Sequence, residues 1–319
     1  MKALKRTLAL FLALATVFAL TACSGSEDAS TKPGNTPADP APLNEPHLVV
    51  AYSAFSGRFS PFYADTAYDQ DVAGLVGLGL MTTDRMGGII WNAIEGETVN
   101  YNGTDYHYTG PADLKVEYDA DTDQTVYTAK LREDLKFSDG EPVTAKDILF
   151  TYYTYLDPAY VGSSGLPSYD IVGLEAWRTE GANSIEGIKM IDDYTVSVTV
   201  NGYSAPAVYS ILGITITPMH YYGNVNKWDP DNGMYGFERS DLNRLRSTVG
   251  APLGAGPYVF ESYQDKVVTF KANPNYYKGE PKIKTVLFRE TNANEVAAAV
   301  KNGDADCGEM TGPRTRFEE

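Results

Sequence analysis

The sequence predicts an α/β fold spread over more than one domain, and three observations carry that expectation. A continuous apolar run, Leu48 to Tyr52, suits a strand covered on both faces. The stretch Tyr127 to Leu156, YTAKLREDLKFSDGEPVTAKDILFTYYTYL, holds an alternating strand, a turn and a capped amphipathic helix in immediate succession. Length is the third: a chain of 319 residues can bury a substantial core and favours two domains over one.

Composition narrows the function classes. A hydrophobic share of 43% excludes a wholly disordered chain, and 23 tyrosines give it an aromatic character. The formal charge of −16 argues against nucleic acid, whose phosphates recruit cations. His47, His107 and His220 lie far apart without ligand spacing, so no metal site is expected. Cys23 and Cys307 are the two cysteines.

Lys2, Lys5 and Arg6 precede an apolar run from Leu8 to Leu20, the plan of a secretory signal and short for a membrane span. Leu20-Thr21-Ala22-Cys23 resembles a bacterial lipobox, in which the cysteine thiol takes a diacylglycerol. Residues 1–22 are thus expected to be a lipoprotein signal peptide, with lipidation at Cys23; an ordinary signal that leaves a free thiol is the alternative. Lipidation argues against a Cys23–Cys307 pair. Residues 23–46 are rich in Ser, Pro, Asp and Ala without apolar period, which predicts a flexible tether.

The folded body begins at His47. The loop after the first strand, Ser53 to Tyr68, carries Phe55, Phe59, Phe62, Tyr63 and Tyr68. A loop leaving such a strand is where α/β proteins tend to seat ligands, although these rings could equally pack the loop down. Asp69 to Val76 reads as a short helix with Val72, Leu75 and Val76 on one face. Leu114–Tyr118 and Thr125–Leu131 form an expected antiparallel pair around Asp119, Asp121 and Asp123. These aspartates invite a calcium reading, but Gln124 stands where glycine is needed and Lys130 where a bidentate glutamate is needed. A solvated acidic turn is the better reading.

In the organising stretch, Tyr127, Ala129 and Leu131 share a strand face, and Asp139-Gly140 and Pro142 break the strand. Thr144 precedes Asp147 by the spacing of a capping box. Ile148, Leu149, Tyr152, Tyr153 and Leu156 then recur at helical spacing until Asp157-Pro158 closes the helix. Tyr160 to Tyr169 is loop-like. Ile188–Ile191 and Tyr194–Val200 read as a hairpin, Ser204 caps a short helix to Leu212, and Ile214–Pro218 returns as a strand. Tyr221 to Thr248 is polar and reads as a surface excursion with a short helix from Asp241. Gly254 and Gly256 could cradle an anion, but no helix follows them, so they are expected to bend the chain into strands Tyr258–Glu261 and Val267–Lys271. Asn273-Pro274 is a turn; Thr285–Arg289, Asn294–Lys301 and Gly303-Asp304 read as a strand, a helix and its stop, with nothing left to pair that strand.

The organising stretch also carries a resemblance. A strand ending in Leu131-Arg132, then Lys136-Phe137-Ser138-Asp139-Gly140-Glu141-Pro142, then Thr144-Ala145-Lys146-Asp147 before an aromatic helix, is similar to the signature of the family 5 extracellular solute-binding proteins. These are the oligopeptide-, dipeptide- and nickel-binding receptors of ABC importers. Five further segments follow in family order: Ile191–Val196, Thr217–His220, Pro252–Tyr258, Asn273–Tyr277 with Gly279 and Pro281, and Asn302–Asp306.

The resemblance implies a two-lobed, periplasmic-binding-protein-like α/β fold (class II, cluster C type) that closes on a peptide or other small solute. Residues 47–63 and 184–274 would form the first lobe and 64–183 its extra subdomain. Residues 275–319 would start a second lobe that is largely missing, so the sequence looks C-terminally truncated. Phe55, Phe59, Asp65, Thr66 and Tyr169 roughly match positions where relatives touch their ligand. The same resemblance implies a monomer that uses no cofactor and needs no catalytic residue. It would hand solute to ABC permease subunits from the outer face of the cytoplasmic membrane or the periplasm, held by its lipid. A secreted lipoprotein hydrolase is the rival, although there is no G-x-S-x-G elbow and no H-E-x-x-H. A glycosidase-like carboxylate pair stays open, as does a surface adhesion module.

Overall fold

A computed structural model of the protein describes residues 45–309. The expected signal (1–22), lipidation site Cys23, most of the tether, and residues 310–319 lie outside the described residues.

His47–Tyr52 is the first strand, β1, and Ala67–Val76 the first helix, α1. A two-residue strand, β2 (Leu78–Gly79), leads to a hairpin of β3 (Glu97–Tyr101) and β4 (Thr104–Tyr108). That hairpin turns at Asn102 and Gly103, with φ of 50° and 79°, the doubly positive backbone of a tight hairpin turn. β5 (Ala112–Asp119) and β6 (Gln124–Leu131) precede α2 (Ala145–Leu156) and α3 (Leu174–Thr179). β7 (Ile188–Asp192), β8 (Thr195–Asn201), α4 (Ala207–Ile211), β9 (Thr215–Ile216) and α5 (Met219–Tyr222) follow. Next come β10 (Trp228–Asp229), β11 (Met234–Tyr235) and α6 (Asn243–Ser247). The last elements are β12 (Tyr258–Gln264), β13 (Val267–Ala272), β14 (Thr285–Glu290), α7 (Val296–Asn302) and β15 (Cys307–Gly308). Among the described residues no helix is long and apolar enough to cross a membrane.

Two sheets organise these elements. The antiparallel sheet β5-β6-β8-β7 aligns Tyr127 with Val198 and Ala129 with Val196. These side chains share the largest apolar core with Ile148, Leu149, Tyr152, Tyr153 and Leu156 of α2. The helix forms where its spacing predicts, but it is enclosed on all sides: no residue of α2 is exposed, with Phe150, Thr151 and Thr154 buried beside the expected apolar positions. At its start Asp147 accepts the Thr144 N–H (2.9 Å) and hydroxyl (3.2 Å) and reaches the Met219 N–H (3.0 Å). Burial raises the Asp147 pKa, opposed by those amides and by His220.

The second sheet runs β12-β13-β14-β1-β15, with β1 parallel to both β14 and β15. On one face Val268, Phe270, Val286 and Phe288 pack with Phe59 and with Val72 and Val76 of α1. On the other, Val49, Ala51 and Leu287 pack with Val296 of α7 and Ala305. Both faces of β1 are covered, which is why its sequence is apolar without alternation.

Two expectations are corrected. Thr285–Glu290 is not left unpaired; it lies between β13 and β1, in register His47 to Thr285. That pairing could not be read locally, because a parallel partner lies far away in sequence and leaves no local signal. In the other sheet β5 pairs with β6, β6 with β8 and β8 with β7. Tyr221–Thr248 is no surface excursion: Tyr222, Tyr235, Phe237, Leu242 and Leu245 are buried, and Tyr235 stacks on Tyr153 at 3.4 Å. Its apolar anchors are too sparse to show a period, yet each lands in the core.

Candidate functional site: a cleft at the ends of three parallel strands

The crossover from β14 through α7 to β15 passes from one side of β1 to the other. In such sheets the loops at the carboxyl ends diverge, and a crevice opens where they part. A pocket of about 350 Å³ lies there, lined among others by Tyr52 and Ser53 after β1, Tyr68 on α1, Thr291 after β14 and Glu309 after β15. Gly308 is part of that lining. A Cβ at this position would lie 2.8 Å from both the Ala51 Cβ and the Val296 Cγ1, so only glycine lets β15 and α7 come this close.

The aromatic wall is built by stacking. Tyr52 stacks on Phe288 (4.4 Å between centroids, 14°) and on Phe55 (5.5 Å, 19°), and meets Tyr68 edge-on at 6.0 Å. Its hydroxyl donates to Asp71 Oδ2 at 2.6 Å. Burial, then that carboxylate, raise the Tyr52 pKa well above that of free tyrosine.

The loop between β1 and α1 is fixed by one buried carboxylate. Asp69 accepts the N–H groups of Ser56 and Gly57 at 3.1 Å, the Ser56 hydroxyl at 2.6 Å and the Thr66 hydroxyl at 2.5 Å. Its own N–H donates back to Thr66 Oγ1 at 3.1 Å, so the start of α1 is closed by its own side chains. Across the loop, Glu290 at the end of β14 accepts the Phe55 N–H (3.2 Å) and the Tyr263 hydroxyl. Burial and that bond push Tyr263 up to about 12.

The five expected ligand residues part company here. Phe55 is half-buried against the wall, Asp65 is exposed beside the Ser56 hydroxyl, and Thr66 caps α1. Phe59 is 0% exposed and meets Phe55, Phe260 and Tyr263; it is a core ring, not a cleft residue, because the curve of the loop turns it inward. Tyr169 packs against the larger core with its hydroxyl donating to Ser210 (3.1 Å), and it does not line this pocket.

Sequence reasoning missed Tyr52, Asp69, Asp71, Glu290 and Gly308. One signal was available: Thr66-x-x-Asp69 repeats the spacing of Thr144-x-x-Asp147. Gly254 and Gly256 serve packing, since the Gly256 N–H donates to the Val76 carbonyl (2.8 Å) and a Cβ there would sit 2.3 Å from the Gly77 oxygen. In the acidic turn, Asp119 accepts from the Asp121 N–H and the Thr122 hydroxyl, which lower its pKa. Its oxygens are thus spent within the turn.

Comparison with known proteins bears on the family and the fold. Residues 112–317 match the family described as bacterial extracellular solute-binding proteins, family 5 middle. The oligopeptide-binding protein AppA of Bacillus subtilis is 28% identical over 181 residues, covering 56% of this chain and 28% of that protein. The oligopeptide-binding protein OppA of Lactococcus lactis subsp. lactis is 29% identical over 205 residues, covering 62% of this chain and 32% of that protein. The solved structure of B. subtilis AppA with a nonapeptide superposes with a TM-score of 0.62 at 21% identity, over 86% of this chain and 46% of that one. The likeness shows a shared mixed α/β fold, and the chain spans less than half the length of these relatives.

Proposed function

Because the chain belongs to the family 5 bacterial extracellular solute-binding proteins, we propose that it captures peptides or similar small solutes for an ABC importer. The cleft at the carboxyl ends of β1, β14 and β15 carries this reading. Its wall offers tyrosine rings and backbone groups to a flexible solute, and the relatives it resembles are named as peptide-binding proteins. Phe55, Asp65 and Thr66 lie on the loop between β1 and α1, outside the pocket lining itself, and are proposed as contacts at its edge.

Capture proceeds by closure of a second lobe over this face, since contacts across two bodies favour the closed state over the open one. No bond is made or broken, so the protein acts as a receptor. It works as a monomer outside the cytoplasmic membrane, anchored through a lipid on Cys23, and hands its solute to permease subunits. The charged start, apolar run and lipobox at the N-terminus support the anchor.

A thermal-shift screen of the full chain against short peptides tests the reading. Ligand-dependent stabilisation without turnover is expected; product in the same wells would favour the hydrolase instead. Cys23→Ala is expected to abolish fatty-acid labelling, and labelling that persists would defeat the anchor.

A further inference from the structure

The charge of this pocket, as distinct from that of the whole chain, can be taken from its lining. Among the described residues that line it, Glu309 supplies the one carboxyl side chain, and there is no lysine or arginine. Asp71 stands directly behind the wall, bound to the Tyr52 hydroxyl. Arg289, just before the end of β14, turns its guanidinium to the Asp304 carbonyl (3.1 Å). The start of α1 would ordinarily add partial positive charge. Here Thr66 and the Asp69 carboxylate close it, so no anion site is offered.

Two tyrosines line this space, but the faces of Tyr52 are covered by Phe288 and Phe55, so Tyr68 is the ring that a cation can approach. Tyr68 is 37% exposed and stands edge-on to Tyr52. Electron-rich ring faces attract cations, more so when water is excluded. Negative charge in a concave, low-dielectric setting is focused toward its mouth.

We infer that this cleft selects solutes carrying a cationic side chain, an ammonium or guanidinium, seated against Tyr68 with Asp71 and Glu309 as its counter-charges. The inference rests on the proposed solute-binding role and adds the chemical class of the solute. An acidic side chain placed there would meet two carboxylates, with no lysine or arginine among the described residues that line the pocket.

Three N-acetylated pentapeptides of equal length separate the outcomes: acetyl-Ala-Lys-Ala-Lys-Ala, acetyl-Ala-Gln-Ala-Gln-Ala and acetyl-Ala-Glu-Ala-Glu-Ala, titrated calorimetrically into the full chain at low salt. The lysine peptide is expected to bind about tenfold tighter than the glutamine peptide, a difference of one close charge pair in a partly shielded site, with the glutamate peptide weakest. Asp71→Asn keeps an oxygen for the Tyr52 hydroxyl and removes the charge. Combined with Glu309→Gln, it is expected to reduce the lysine-to-glutamine ratio to about twofold or less, as is 1 M salt for the unmodified chain. Equal affinity for all three peptides, or preference for glutamate, overturns the cationic preference and leaves solute binding standing. A preference for lysine that survives the double variant overturns the assignment to these residues. Silence toward all three overturns both the preference and the receptor reading.

Discussion

Replacing Asp69 by alanine strips the loop between β1 and α1 of its anchor. The carboxylate is fully buried and serves four donors: two backbone amides, at Ser56 and Gly57, and the Ser56 and Thr66 hydroxyls. A hydrogen bond to a charged acceptor contributes about 1.5–3 kcal/mol, and a buried donor left without partner costs a similar amount. Ser56 is exposed and Gly57 half-exposed, so water recovers part of the loss. The net expectation is a destabilisation of about 3 kcal/mol for Asp69→Ala. It should be about half that for Asp69→Asn, which keeps one oxygen for the two amides while the hydroxyls rotate to accept. With a urea dependence of roughly 3 kcal/mol per molar for a body of this size, the midpoint should fall by about 1 M for alanine. Amide exchange at Ser56 and Gly57 should accelerate beyond that of β6, whose bonds the substitution does not touch. A loss below about 1 kcal/mol with unchanged exchange in the loop would refute the claim that this carboxylate holds the cleft wall.

Further outcomes follow from the same packing. Phe59→Ala should cost about 3–5 kcal/mol as a buried ring leaving a cavity, and Phe55→Ala distinctly less; a Phe59 variant of full stability with lost ligand binding would reverse the assignment. Gly256→Ala should lower stability by about 1–3 kcal/mol, because its Cβ would meet the Gly77 oxygen at 2.3 Å; an unchanged melting temperature would contradict that close approach. Asp147 and Asp157 are both raised by burial first, despite the amides and cations that oppose it. Native protein then holds protons that the unfolded chain has released above about pH 4, so these groups make stability fall as pH climbs from there through their raised values. Asp147→Asn should flatten that decline in pH-dependent urea titrations, and an unaltered slope would exclude Asp147 as a source.

Local chemistry was legible in the sequence, and long-range pairing was not. Thr144-x-x-Asp147 and the spacing of Ile148 to Leu156 located α2 to the residue, because cap and period act within a few positions. Gly303 ended α7 with φ of 82°, as a glycine stop should. The hairpin at Asn102-Gly103 went unread although that pair is a strong turn signal; its flanks, rich in polar residues, hid the alternation. Which strands share a sheet depends on contacts such as His47 with Thr285, which no window of sequence contains. The cleft suffered the same way. Its loop was found from the strand before it, but whether Phe55 or Phe59 turns inward depends on Asp69 pulling the loop back onto α1. Tyr169 was drawn to the site by resemblance alone and lies elsewhere.

The most direct test is to map where a captured peptide touches the protein. A pentapeptide bearing a photoreactive phenylalanine, bound to the full chain and irradiated, should leave adducts on Tyr52, Ser53, Tyr68 or Thr291, and these should vanish when unlabelled peptide competes. Competable adducts confined to the Tyr169–Ser210 region, or none on the loops after β1 and β14, would contradict a cleft at the ends of the parallel strands.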